Sequence, residues 1–145
     1  MNKLPVAFLT ALLLTTSVAQ AQSKKEVIKA TKTVRGTFLG FEVGDYVHAV
    51  IKDSKGQRRS FYIGGAGVDL YLSNHVKKSG TFTYQLVNCF MEEAGGRVDI
   101  ERLQSAKIGA QSSVTWWKSI RKRMSLDAIN EKYQPMVNKA TLNGG

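Results

Sequence analysis

The sequence predicts a mainly β fold, a small five-stranded barrel with a short helix between strands three and four and a C-terminal helical tail. Three observations point there. From Lys32 to Ile108, short runs rich in Val, Ile, Thr, Phe and Tyr are punctuated by glycine-bearing turns, the pattern of strands and hairpins. One interruption, Val68 to Lys78, carries Val68, Leu70, Tyr71, Leu72 and Val76 at a spacing that suits a helix better than alternation. After Gly109 the apolar period changes to three and four residues.

The first strand is expected over Thr33 to Val43, long enough to need a bend, with Gly36 and Gly40 where a barrel strand could curl. Gly44-Asp45 makes a turn into a second strand, Tyr46 to Lys52. The loop Asp53-Ser54-Lys55-Gly56 carries its glycine late, as hairpin geometry prefers, and leads to a third strand, Arg58 to Ile63. After the helical segment, a fourth strand covers Thr81 to Met91 and a fifth Arg97 to Lys107, joined by Glu92-Glu93-Ala94-Gly95-Gly96. Five short strands bury both faces only if the sheet closes on itself, and an intervening helix can plug one end. Three strands, a helix and two strands is the element order of the oligonucleotide/oligosaccharide-binding (OB) barrel. A half-open sandwich or an SH3-like barrel is the alternative.

In the tail, Ser112 and Ser113 are good helix caps, and Trp117, Ile120 and Met124 share one face. Leu126, Ile129, Tyr133 and Val137 form a second stripe, displaced by nearly half a turn. One straight helix would bury opposite faces, so the pattern predicts two helices broken near Ser125, which can cap the second. Pro135 and the terminal Gly144-Gly145 suggest fraying beyond about Lys139.

The N-terminus reads as an export signal. Lys3 precedes an apolar stretch from Val6 to Leu14, and Ala19-Gln20-Ala21 is the small-x-small pattern of a cleavage site. The run is too short to span a bilayer, and Gln22 stands where a lipoprotein would need cysteine. The expected organisation is a signal peptide at 1–21, a flexible lead-in or weak short helix at 22–31, an OB-like barrel at 32–108 and a helical extension at 109–145. The expected destination is a periplasm or the cell exterior. No later segment is apolar enough to cross a membrane. The one cysteine, Cys89, cannot form an internal disulfide, so packing must supply stability.

The pattern Gly44-Asp45-Tyr46, with Glu93-Ala94-Gly95-Gly96 followed by Val98-Asp99-Ile100-Glu101, resembles small exported OB-like proteins of bacteria that are uncharacterised. The likeness spans about Val34 to Ser105 and implies the fold, with no activity attached.

Removing 1–21 leaves twenty Lys and Arg against eleven Asp and Glu, a net charge of +9. Such a field attracts polyanions, although it also serves solubility alone. Outside the cytoplasm the polyanions are an acidic lipid surface, an anionic polymer such as a glycan, or nucleic acid. Catalysis has little to work with: His48 and His75 stand in no metal-ligand spacing, and no nucleophile elbow, phosphate loop or His-Glu-x-x-His motif is present. No cofactor or metal is implied. Gly64-Gly65-Ala66-Gly67 lacks the offsets of a dinucleotide fingerprint and reads as a loop that needs unusual backbone angles.

Two constellations remain. Alternation turns Val47, Ala49, Ile51, Phe61 and Ile63 inward, leaving Tyr46, His48, Arg58, Ser60 and Tyr62 on the outer face of strands two and three. Rings and cations there could stack on bases or sugars and pair with phosphate or carboxylate. The second is Trp116-Trp117-Lys118-Ser119-Ile120-Arg121-Lys122-Arg123. Trp116 with Lys118, Arg121, Lys122 and Arg123 could meet an acidic membrane surface. Alternatively, Trp117 and Ile120 dock the helix over an open sheet edge while the cations stay solvated. The leading expectation is an exported, non-enzymatic binding module for an anionic ligand or envelope component. The alternatives are a structural or inhibitory protein that engages a protein partner in the envelope by β-addition, and a small hydrolase.

Overall fold

The computed structural model describes residues 25–142. The signal-peptide reading lies outside the described residues. The chain is mainly β, with one six-stranded sheet and three helices: β1 (Val27–Val43), β2 (Val47–Asp53), β3 (Arg58–Ile63), α1 (Val68–Ser73), β4 (Ser79–Met91), β5 (Gly96–Ile108), β6 (Gln111–Ser112), α2 (Ser113–Arg123) and α3 (Leu126–Lys139).

Strand order is β3-β2-β1-β4-β5-β6 with antiparallel neighbours, and a short parallel pairing of β3 with β5 joins the first five strands into a ring. That closing seam is narrow, with only Tyr62 opposite Arg102 and Ile63 opposite Leu103. β1 serves two partners. Val27 to Arg35 lie along β4 alone, Gly36 and Thr37 pair with both β4 and β2, and the strand from Phe38 to Val43 lies along β2 alone. The expected bend is a register shift between Phe38 and Gly40, where Gly40 adopts φ +147° and the Ala140 carbonyl leaves no room for a Cβ.

Phe38, Phe41, Ala49, Ile51, Phe61, Phe82 and Leu103 fill the ring from within, and α1 contributes Val68, Leu70, Tyr71 and Leu72. The tail closes over α1. Ile120 of α2 and Ile129, Tyr133 and Val137 of α3 join the same core, with Trp116, Trp117 and Met124 packed partly buried against it. Ser112 and Ser125 each cap a helix by accepting from a backbone amide three residues on, which satisfies orphan donors at each start.

Tyr71 ties these layers together. Its hydroxyl donates to the Gln111 carbonyl at 2.6 Å and accepts from the Ile108 amide at 3.0 Å, so it holds both sides of the β5–β6 turn. Burial raises its phenol above the ordinary tyrosine range. Tyr71→Phe would strand these backbone groups and should lower stability by about 2 kcal/mol. Urea denaturation checks this; an unchanged midpoint would show that the hydroxyl holds nothing.

Several expectations are corrected. β1 begins at Val27, inside the segment expected to be a flexible lead-in. A sixth strand, Gln111–Ser112, pairs with β5. α1 ends at Ser73 rather than Lys78. Val47 and Leu126, expected inside, are exposed, and Val50, between the inward Ala49 and Ile51, is itself fully buried. Residues 140–142, expected to fray, are held in place: the Phe41 amide donates to Ala140 at 2.9 Å and the Leu142 amide to Phe41 at 2.7 Å, hooking this segment onto the bent part of β1.

Candidate functional site

The turn before β2 and the face shared by β2 and β3 gather Tyr46, His48, Ser60 and Tyr62, four of the five residues expected there. His48 and Tyr62 are register partners, so their rings stand side by side with centroids 4.2 Å apart. The Tyr46 ring lies 5.6 Å from that of Tyr62, and its hydroxyl donates to Glu93 Oε1 at 3.1 Å. That bond to a carboxylate holds the Tyr46 proton and raises its phenol above the ordinary range. The rings form one wall of an open groove of about 570 Å³, whose other wall is the β4–β5 hairpin with Met91, Glu93, Val98 and Ile100. A second hollow of about 460 Å³ shares Tyr46, Tyr62, Met91 and Ile100 and runs toward Glu26 and Arg102.

The electrostatics of this groove oppose the expectation of a cationic face. Its charged lining is Asp45, Glu93, Asp99 and Glu101, with no lysine or arginine. Arg58, expected to supply the positive charge, ion-pairs instead with Glu42, which also accepts from Ser60 at 3.1 Å. Two of the carboxylates are compensated. Asp99 pairs with Lys29 at 2.8 Å and accepts from Asn88 at 2.7 Å, and these bonds lower its pKa. Glu101 pairs with Arg59 at 2.8 Å. Among the described residues, Asp45 and Glu93 have no ion-pair partner.

Arg59 is a residue the sequence reading passed over. It pairs with Ile51 in the ladder and follows Ile51 and Phe61 inward. Its guanidinium lies 4.9 Å from the Phe61 ring and 5.0 Å from that of Tyr84, and donates to the Tyr84 hydroxyl at 3.1 Å. With Glu101 on β5, it bridges the seam where β3 and β5 separate. Alternation between outward Arg58 and outward Ser60 was the signal that could have found it.

The second constellation divides. Trp116 is engaged within the fold, edge-on to Tyr133 at 5.3 Å and to Tyr71 at 5.9 Å. Trp117 packs over Gly67, whose φ of +68° and absent Cβ admit the indole. The glycine loop therefore receives a tryptophan, and α1 with its six residues begins beneath it. The cations remain outside. Lys118, Arg121 and Lys122 stand at i, i+3 and i+4 on one exposed face, opposite buried Ile120, and exposed Arg123 lies further round the helix, on the side of Ser119. Arg121 lies 5.9 Å from the Trp117 ring, and Arg123 bonds weakly back to Ser119 at 3.4 Å. α2 carries no acidic residue, and among the described residues none of its four cations forms a salt bridge. Three of them stand in the last turn, where the helix dipole favours positive charge.

Among the described residues, no three His, Cys, Asp or Glu side chains are grouped to hold a metal ion, and no helix is long and apolar enough to cross a membrane. The chain matches no family model, no curated protein and no solved structure.

Proposed function

We propose that the chain is an exported, non-enzymatic binding module, an OB-like barrel with a docked helical tail, which holds an acidic component of the cell envelope through the basic face of α2. The single observation that carries this reading is the exposed charge of Lys118, Arg121, Lys122 and Arg123, none of which forms a salt bridge among the described residues. Charges left unpaired on a rigid, exposed face cost little in water and gain most when a dense anionic array replaces the solvent. Exposed Val114 and Leu126 flank the cations at the starts of α2 and α3, and apolar side chains beside cations suit a lipid headgroup surface. The OB-like reading is supported by the element order and by the ring that the β3–β5 pairing closes.

The chain is expected to co-sediment with acidic phospholipid vesicles, and much less with neutral ones. Raising salt from roughly 0.05 M to 0.5 M shortens the screening length several-fold and should release it. Equal sedimentation with neutral vesicles, or binding indifferent to salt, would contradict the proposal.

A second reading, a protein partner bound by strand addition, is favoured by one observation. β3 and β5 pair at two positions only, so beyond them both strands present edges along the aromatic groove.

A further inference from the structure

The groove calls for a ligand of the opposite charge to the one expected at α2. We propose that it binds an extended peptide segment carrying lysine or arginine, laid between the diverging edges of β3 and β5. The proposal rests on the strand-addition reading and adds to it a chemical class of partner.

Three features combine. The first is shape: an open groove of about 570 Å³ lies where β3 and β5 separate, a form that suits an extended chain. The second is the wall of Tyr46, Tyr62 and His48, with centroids 4.2 and 5.6 Å apart. Tyrosine faces attract ammonium and guanidinium groups. The third is charge. The groove lining has four carboxylates and no cation, and Asp45 and Glu93 lack ion-pair partners among the described residues.

These features also select against the other ligands. A nucleic acid or acidic glycan laid here would bring phosphate or carboxylate against Glu93 and Asp45, with Arg58 held by Glu42 and Arg59 by Glu101. A neutral sugar could stack on the tyrosines but would leave the two carboxylates uncompensated. A lysine or arginine side chain meets both rings and acids, while its backbone meets the strand edges, where side chains alternate and every second residue would face the groove.

The test is a titration of the full chain, followed by amide chemical shifts, with an acetylated hexapeptide alternating lysine and valine. The same peptide with glutamate or serine in place of lysine, and a neutral oligosaccharide, serve as comparisons. The lysine peptide is expected to bind saturably, to shift residues of β3 and β5 beside the groove, and to weaken about tenfold or more in Glu93→Gln and in Tyr46→Ala. Both positions are exposed, so the variants should fold. Equal binding of the serine peptide would keep strand addition and overturn the choice of a cationic partner. If no peptide binds, or only the oligosaccharide does, both the proposal and the strand-addition reading fall.

Discussion

Gly65→Ala is expected to lower stability by about 3 kcal/mol or more, a large fraction of the total stability of a small domain. A Cβ at this position would lie 1.7 Å from the Gln104 carbonyl oxygen and 2.6 Å from its carbon. The obstacle is backbone of β5, which cannot swing aside as a side-chain tip can. The loop cannot retreat cheaply either, because the amides of Gly64 and Gly65 both donate to the Leu103 carbonyl at 2.9 and 3.0 Å. Any shift would be passed to α1, whose Val68, Tyr71 and Leu72 are buried in the core. Gly44→Ala is the control, since nothing lies within 4 Å of its Cβ position. Denaturation midpoints compare the two; a Gly65→Ala protein as stable as Gly44→Ala would mean that the loop and β5 can part freely.

Replacing Lys118, Arg121, Lys122 and Arg123 together by glutamine is expected to weaken binding to acidic vesicles about a thousandfold, at roughly 1 kcal/mol per cation near such a surface. The fold should tolerate the change. All four side chains are exposed, and no salt bridge among the described residues is broken by their loss. The cost to the helix comes from its dipole, the Arg121–Trp117 contact and the weak Arg123–Ser119 bonds, which together amount to about 1 kcal/mol. Sedimentation and thermal melting of the same preparation separate the two effects. Undiminished binding by a folded variant would remove α2 from the function.

Most of the fold was legible because most elements bury one face. The Arg58–Ile63 strand, the break near Ser125 and the serine caps all follow from alternation, period and capping chemistry. The start of β1 was hidden for a physical reason. From Val27 to Arg35 it pairs with β4 alone and is largely exposed on both faces, so Lys29 and Lys32 sit there without penalty and no hydrophobic pattern marks the strand. The anchoring of residues 140–142 was hidden because Phe41 and Ala140, far apart in the chain, meet through backbone bonds that no side-chain pattern announces.

The candidate site was half legible. Alternation on two adjacent strands brought Tyr46, His48 and Tyr62 to one face, and the groove forms there. Its charge could not be read from those strands, because the carboxylates of Glu93, Asp99 and Glu101 arrive from the β4–β5 hairpin. The partners that neutralise Arg58 and Arg59 likewise come from β1 and β5. On α2 the cations and their spacing were visible, whereas the packing of Trp116 against Tyr71 and Tyr133 depends on how the tail folds back over α1.

Mapping where an anionic ligand touches the chain tests the separation of charge most directly. Amide chemical shifts would be followed as a short sulfated oligosaccharide is added at low salt. Changes centred on Lys118 to Arg123, with Tyr46, His48 and Tyr62 undisturbed, are the predicted result. Changes centred on the tyrosine groove, with the helix silent, would contradict it.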